Sequence, residues 1–230
     1  QSAAAGINLF DTAPAYGESE CLLGRALKSY PQCYIATKVP VPTDADGNLL
    51  NGAPLRQAVR SSLENSLRAL RRDVLDIVQI HDTTLEVIRR GEMADILIEA
   101  RRQGKVRFLG ASVYGEEAAL EAIEAGCYDV LQVAYNVLDQ RMARQVFPAA
   151  ERADVGMIVR SALLKGALTA KASWLPQELA ELIRAAERAK NILAGAWQSL
   201  PEAALRFCLS APQVATVLVG VRTLEELRQA

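Results

Sequence analysis

The sequence predicts an α/β chain of repeated strand–helix units. Of the two architectures such repeats build, it favours a (β/α)8 TIM-type barrel over an open doubly wound sheet. Three observations lead there. Apolar runs of strand length alternate with amphipathic helical stretches along the 230 residues. Most of these runs are continuously apolar, as parallel strands buried on both faces require. Polar or ionisable residues stand at the C-terminal end of run after run: Asp11, Lys38, His81, Ser112, the stretch 132–136, then Arg160 and Ser161. In a barrel those ends converge on one face, where active sites form. No G-x-G-x-x-G follows any strand, which weakens the doubly wound alternative.

The expected strands are 7–10, 33–38, 75–81, 106–112, 130–135, 156–161 and 215–219. Helical patterns fill the gaps. The stretch 18–29 follows the first strand. In 55–70, Leu55, Val59, Leu63 and Leu67 recur every four residues and give one apolar stripe. The next helix, 85–103, ends before Gly104, a C-cap glycine. Helices are also expected over 116–124, 139–153 and 176–197, the last broken near Gly195. A further one over 201–209 opens on Pro201, as a first helical turn tolerates. That makes seven strands. An eighth is expected before Gln1, because QSAAAG reads as the end of a helix and TLEELRQA stops inside one. The chain thus reads as one barrel domain over 1–230, cut at both ends and lacking its first strand.

Bulk properties narrow the class. Half of the residues are hydrophobic, enough for one sizeable core. The formal net charge is -1 and the pI is near 6.0, so no basic excess points to nucleic acid or an anionic membrane. Cys21, Cys33, Cys127 and Cys208 are far apart and form no C-x-x-C pair, which suits reduced, mostly buried thiols in a cytoplasmic protein. No apolar run is as long as a membrane span, and no metal-ligand spacing appears.

Four strand-end residues carry the chemistry. Each alone has a plain structural reading. Asp11 would cap a turn, Tyr16 would pack, and His81, the only histidine of the chain, would be a satisfied core residue. Lys38 resists this, since the apolar strand YIATK offers no structural reason for a buried ammonium. Together they meet one need. Reduction of a carbonyl requires a proton donor for the developing alkoxide. Tyrosine is a weak acid, with a pKa of about 10, and a nearby ammonium stabilises its phenolate. Tyr16 is therefore the expected general acid, Lys38 its tuner, Asp11 the partner of the lysine, and His81 the group that orients the substrate oxygen.

The stretch FDTAPAYGESECLLGRAL resembles the signature of the aldo-keto reductase family. YIATK resembles its lysine strand and LRRDVLDIVQIHD its histidine strand. GKVRFLGAS, VLQVAYN and VRSALLKGALT are similar to its later, cofactor-side segments, in the same order. The resemblance implies a (β/α)8 barrel that binds NADP or NAD extended, without a Rossmann fold. It implies that Ser112 and Gln132 hold the nicotinamide carboxamide and that Arg160 stacks where many members place tyrosine. Ser161, Leu163, Lys165 and Gly166 would strap the pyrophosphate. Gly220, Val221, Arg222 and Thr223 would meet the adenosine. Val113 stands where the family often has asparagine, which leaves a carboxamide hydrogen bond to be supplied elsewhere, with Asn136 one source. Glu226 stands where members that prefer NADP place a basic or amide residue, and it would repel a 2′-phosphate, with Arg222 offsetting it. Ala230 matches the family's terminal asparagine.

The implied activity is interconversion of aldehydes or ketones and alcohols, with small-molecule carbonyl or alcohol partners. VQIHD and AYNVLDQR are also similar to dehydrogenases of galactose or arabinose, which adds sugar lactols as substrates. Two other readings stand beside this one. One is a non-catalytic, nicotinamide-binding regulatory subunit on the same barrel. The other is an inactive truncated remnant.

Overall fold

Runs rich in β-branched residues become strands. The computed structural model describes residues 1–193 and 197–229. Its first four strands are β1 (Leu9–Asp11), β2 (Tyr34–Val39), β3 (Leu75–Thr83) and β4 (Val106–Val113). They pair in sequence order and in parallel, with Asp11 opposite Ala36, Lys38 opposite Gln79 and Ile80 opposite Ala111. Parallel neighbours need crossovers. Here these are α1 (Ser19–Ala26), α2 (Gly52–Leu70), and the pair α3 (Leu85–Arg90) and α4 (Glu92–Arg102); α5 (Glu116–Glu124) follows β4. All lie in one compact unit, Gln1–Leu131 with Ala153–Val155.

The buried face of α2 is Leu55, Val59, Leu63, Ser66 and Leu70. The expected stripe ran through Leu67, which is half-buried instead. A four-residue spacing drifts on a helix of 3.6 residues per turn, so the face moves on to Ser66 and Leu70. Near its end α2 meets α1 closely. A Cβ on Gly24 would lie 2.4 Å from the carbonyl oxygen of Ala69. Gly24→Ala is therefore expected to cost about 1–3 kcal/mol, read as a lower urea midpoint at unchanged slope.

The helix expected over 85–103 is two helices. Gly91 divides them with φ 68°, and its N–H donates to Ile88 and Val87 at 3.1 and 3.3 Å. A left-handed residue ends one helix and starts the next at a new angle, and glycine takes that φ without strain.

The second compact unit, Gln132–Arg152 with Gly156–Ala230, carries most of β5 (Val130–Ala134), then β6 (Gly156–Arg160) and β7 (Val214–Val217). Strands β6 and β7 are parallel, with Val159 opposite Val217. The helices are α6 (Val146–Arg152), α7 (Ala180–Leu193), α8 (Leu200–Leu209) and α9 (Leu224–Gln229). The expected helix 139–153 shrinks to a 3-10 turn, Arg141–Ala143, followed by α6. Pro148 has no N–H for the carbonyl four residues back, so it fits only the first turn of a helix. The stretch 176–197 opens as a 3-10 turn, Gln177–Leu179, before α7; the expected break at Gly195, like Ala230, lies outside the described residues. Leu168, Ala186 and Ala204 are core residues here, with Leu163, Leu164 and Leu200 packed on them.

Among the described residues no helix is long and apolar enough to cross a membrane. Of the cysteines, Cys33 and Cys208 are buried, Cys127 is half-buried and Cys21 is exposed. Burial pushes the Cys208 thiol up to about 11. A thiol reagent at mild pH is expected to modify Cys21 first and Cys208 only on unfolding.

Candidate active site

Lys38 is the largest completely buried side chain among the described residues, at 0% exposure. An ammonium out of water is costly unless it is paired and hydrogen-bonded. Its Nζ donates to Asp11 Oδ2 at 2.6 Å and to the Thr12 carbonyl at 2.9 Å. It lies 4.9 Å from the centre of the Tyr16 ring. That ring meets the His81 ring edge-on, at 5.8 Å between centroids and 84° between planes. Tyr16 itself is 47% exposed. The four residues predicted from strand ends are thus in one place. Neighbouring parallel strands bring Asp11, Lys38 and His81 there, and the loop after β1 turns Tyr16 back over them.

Two supporting residues escaped the sequence reading. Gln79 is completely buried, faces Lys38 in register and donates from Nε2 to Asp11 Oδ1 at 3.3 Å. Its signal was the two-residue period of Gln79 and His81 in an apolar strand, which puts both on one face. Thr37 donates to the buried Glu20 carboxylate at 2.6 Å, tying β2 to α1 beside Lys38. The histidine strand is also irregular. Ile80 pairs with Ala111 and Thr83 with Val113, three steps on β3 against two on β4. His81 and Asp82 share that bulge, and Asp82 has φ 48°. On β4, Ser112 is 2% exposed and Val113 completely buried.

The remaining predicted residues lie in the second unit. Gln132 is buried on β5 and Arg160 is half-buried at the end of β6. The loop after β6 holds an unusual backbone: Ser161, Leu164 and Lys165 have φ 62°, 47° and 54°, and Gly166 has φ 99°. Left-handed backbone at non-glycine residues is costly and clusters at ligand clamps. Leu163 sends its side chain into the core, so only its backbone is available to a ligand. Asn136 is buried just after β5. Its Oδ1 accepts from the amides of Leu138 and Asp139, and its Nδ2 donates to the Ser161 carbonyl. These bonds brace the loop after β6.

Gly220, Val221, Arg222 and Thr223 follow β7 and are exposed. Glu226, one turn on, is clasped by Lys171 Nζ and accepts the Arg222 backbone N–H at 2.7 Å. The hydrogen bond from Lys171 holds its carboxyl below the usual carboxylate range. By their chemistry the groups of the second unit suit a nicotinamide dinucleotide: a buried amide, a planar guanidinium, a strained loop bearing Lys165 and a polar turn after β7.

The family model for the aldo/keto reductase family matches residues 2–230. The NADH-specific methylglyoxal reductase of Escherichia coli is 28% identical, over 97% of this chain and 77% of that protein. The L-galactose dehydrogenase of Arabidopsis thaliana is also 28% identical, over 97% of this chain and 72% of its own length. Among solved structures, the holo form of an aldo-keto reductase from Bacillus halodurans superposes with a TM-score of 0.82 at 25% identity, over 99% of this chain and 77% of that one. The chain thus spans about three quarters of these proteins, and its seven βα units have the (β/α)8 fold predicted for them.

Proposed function

We propose that this chain, which belongs to the aldo/keto reductase family, uses Tyr16 as the proton donor when aldehydes, ketones or sugar lactols are interconverted with their redox partners. Membership makes it an NAD(P)-dependent oxidoreductase of carbonyls and alcohols. One observation carries the proton-donor reading: a fully buried ammonium, held by Asp11, lies 4.9 Å from the centre of a tyrosine ring that is half-open to solvent. A cation there would stabilise the phenolate left when the phenol sheds its proton.

When bound, the reduced nicotinamide supplies hydride to the carbonyl carbon. The residues that would hold it are Ser112, Gln132, Arg160, Ser161, Leu163, Lys165, Gly166 and Gly220, Val221, Arg222 and Thr223. Tyr16 gives its hydroxyl proton to the carbonyl oxygen as that oxygen gains negative charge. Lys38 stabilises the phenolate left behind, and Asp11, steadied by Gln79, keeps Lys38 charged and in place. His81 donates a hydrogen bond to the same oxygen and fixes its approach. In the oxidative direction the phenolate takes the alcohol proton back. The 28% identity to an L-galactose dehydrogenase supports sugar lactols as substrates. A turnover panel of aldehydes, ketones and aldoses tests this; no activity on any of them, with either cofactor, would sink it.

Glu226 supports NAD(H) over NADP(H). Its carboxylate, anchored by Lys171, would repel a 2′-phosphate. Glu226→Gln is expected to lower the KM for NADPH severalfold and leave that for NADH nearly unchanged. The same clasp has a pH signature. A carboxyl depressed in the folded state stabilises fully above its ordinary value of 4.5, and that stability is lost as pH falls from there through the folded value. Between neutral pH and about pH 4, Glu226→Gln should therefore lose less Tm than the wild type.

A further inference from the structure

Adjacent residues of a regular strand point to opposite faces. His81 and Asp82 do not obey this. Asp82 Oδ1 lies 4.0 Å from His81 Nε2. The bulge explains it: one extra residue on β3, with Asp82 at φ 48°, turns the carboxylate back toward the ring beside it. Aspartate tolerates that backbone better than most residues, and its side chain stays 62% exposed. The His81 side chain is 16% exposed.

We infer that Asp82 is a positioning residue, whose carboxylate keeps a proton on His81 Nε2 so that the ring can donate from that atom to the substrate oxygen. Lys38 and Asp11 form an ion pair beyond the Tyr16 ring. On β4, Ala111 and Val113 oppose the two ends of the bulge, with Ser112 between them and Tyr114 just after. Among the described residues Asp82 has no lysine or arginine ion pair, so its charge acts on the imidazole. The carboxylate favours both the Nε2–H tautomer and the imidazolium, and so widens the pH range over which His81 is a donor there.

The inference rests on His81 being the residue that orients the substrate oxygen, but its test does not need turnover. The chain has one histidine, so its proton NMR spectrum contains a single imidazole titration. Asp82→Asn keeps the size and the tolerance of left-handed backbone and removes the charge. It is expected to lower the His81 midpoint by about half a unit to one unit. Raising the salt from about 0.01 M to 1 M should lower the wild-type midpoint toward that of the variant, and leave the variant nearly unmoved. Equal midpoints in wild type and variant overturn the inference. Should Asp82→Asn fold poorly, a wild-type midpoint indifferent to salt does the same. Activity lost in Tyr16→Phe with the Asp82 effect absent sinks this inference alone; the converse sinks only the proton-donor reading.

Discussion

Replacing Tyr16 by phenylalanine is expected to lower kcat for carbonyl reduction by about 10²–10⁴-fold, the usual contribution of a positioned general acid. KM for the cofactor should change little, since the proposed role of the phenol is toward the oxygen of the other substrate. The fold should be unaffected. The ring is 47% exposed, and its contacts with Lys38 and His81 are through its face and edge, which phenylalanine retains. Steady-state kinetics on an aldehyde that the wild type turns over, with the Tm of both proteins, decides the matter. A variant within about threefold of wild-type kcat would show that the proton comes from another group.

The second large effect is on stability. Asp11→Ala removes the carboxylate 2.6 Å from an ammonium that has no access to water. Breaking a buried pair by deleting one partner costs about 3–5 kcal/mol, because the surviving charge is stranded. The Thr12 carbonyl still accepts from Lys38, and Asp11 is not itself fully enclosed, so the lower end of that range is expected. Adding Lys38→Met should restore most of the loss, since a methionine of similar length fills the space without a charge. Neither protein should retain turnover. Urea unfolding of the two variants and the wild type separates these terms; a double variant no more stable than Asp11→Ala would mean that the charge is not what the site pays for.

Much of this was legible in the linear chain. The seven strands were located to within a few residues because parallel strands buried on both faces leave continuous apolar runs. The candidate site residues were legible for the opposite reason. Asp11, Lys38 and His81 interrupt those runs with groups that an apolar strand end cannot accommodate without a partner. Helices fared less well. Gly91 sits inside an unbroken amphipathic pattern, and a helix through it and a turn at it bury nearly the same side chains. Pro148 permits a helix start just before it but does not say where the preceding chain goes.

What the residues settled alone is chemical identity and strand order: which groups stand at strand ends and which run precedes which. Geometry settled the rest. Gln79 became a site residue only when register set it opposite Lys38. Asn136 Oδ1 accepts from the loop amides of Leu138 and Asp139, a pairing the linear chain does not show. Asp82 lies beside His81 in sequence, where a regular strand would turn it away; one extra residue in β3 turned it back. Hydrophobic pattern is written residue by residue and survives in one dimension. Register shifts, bulges and the direction of a single side chain depend on how neighbouring strands pair, and that exists only once they have met.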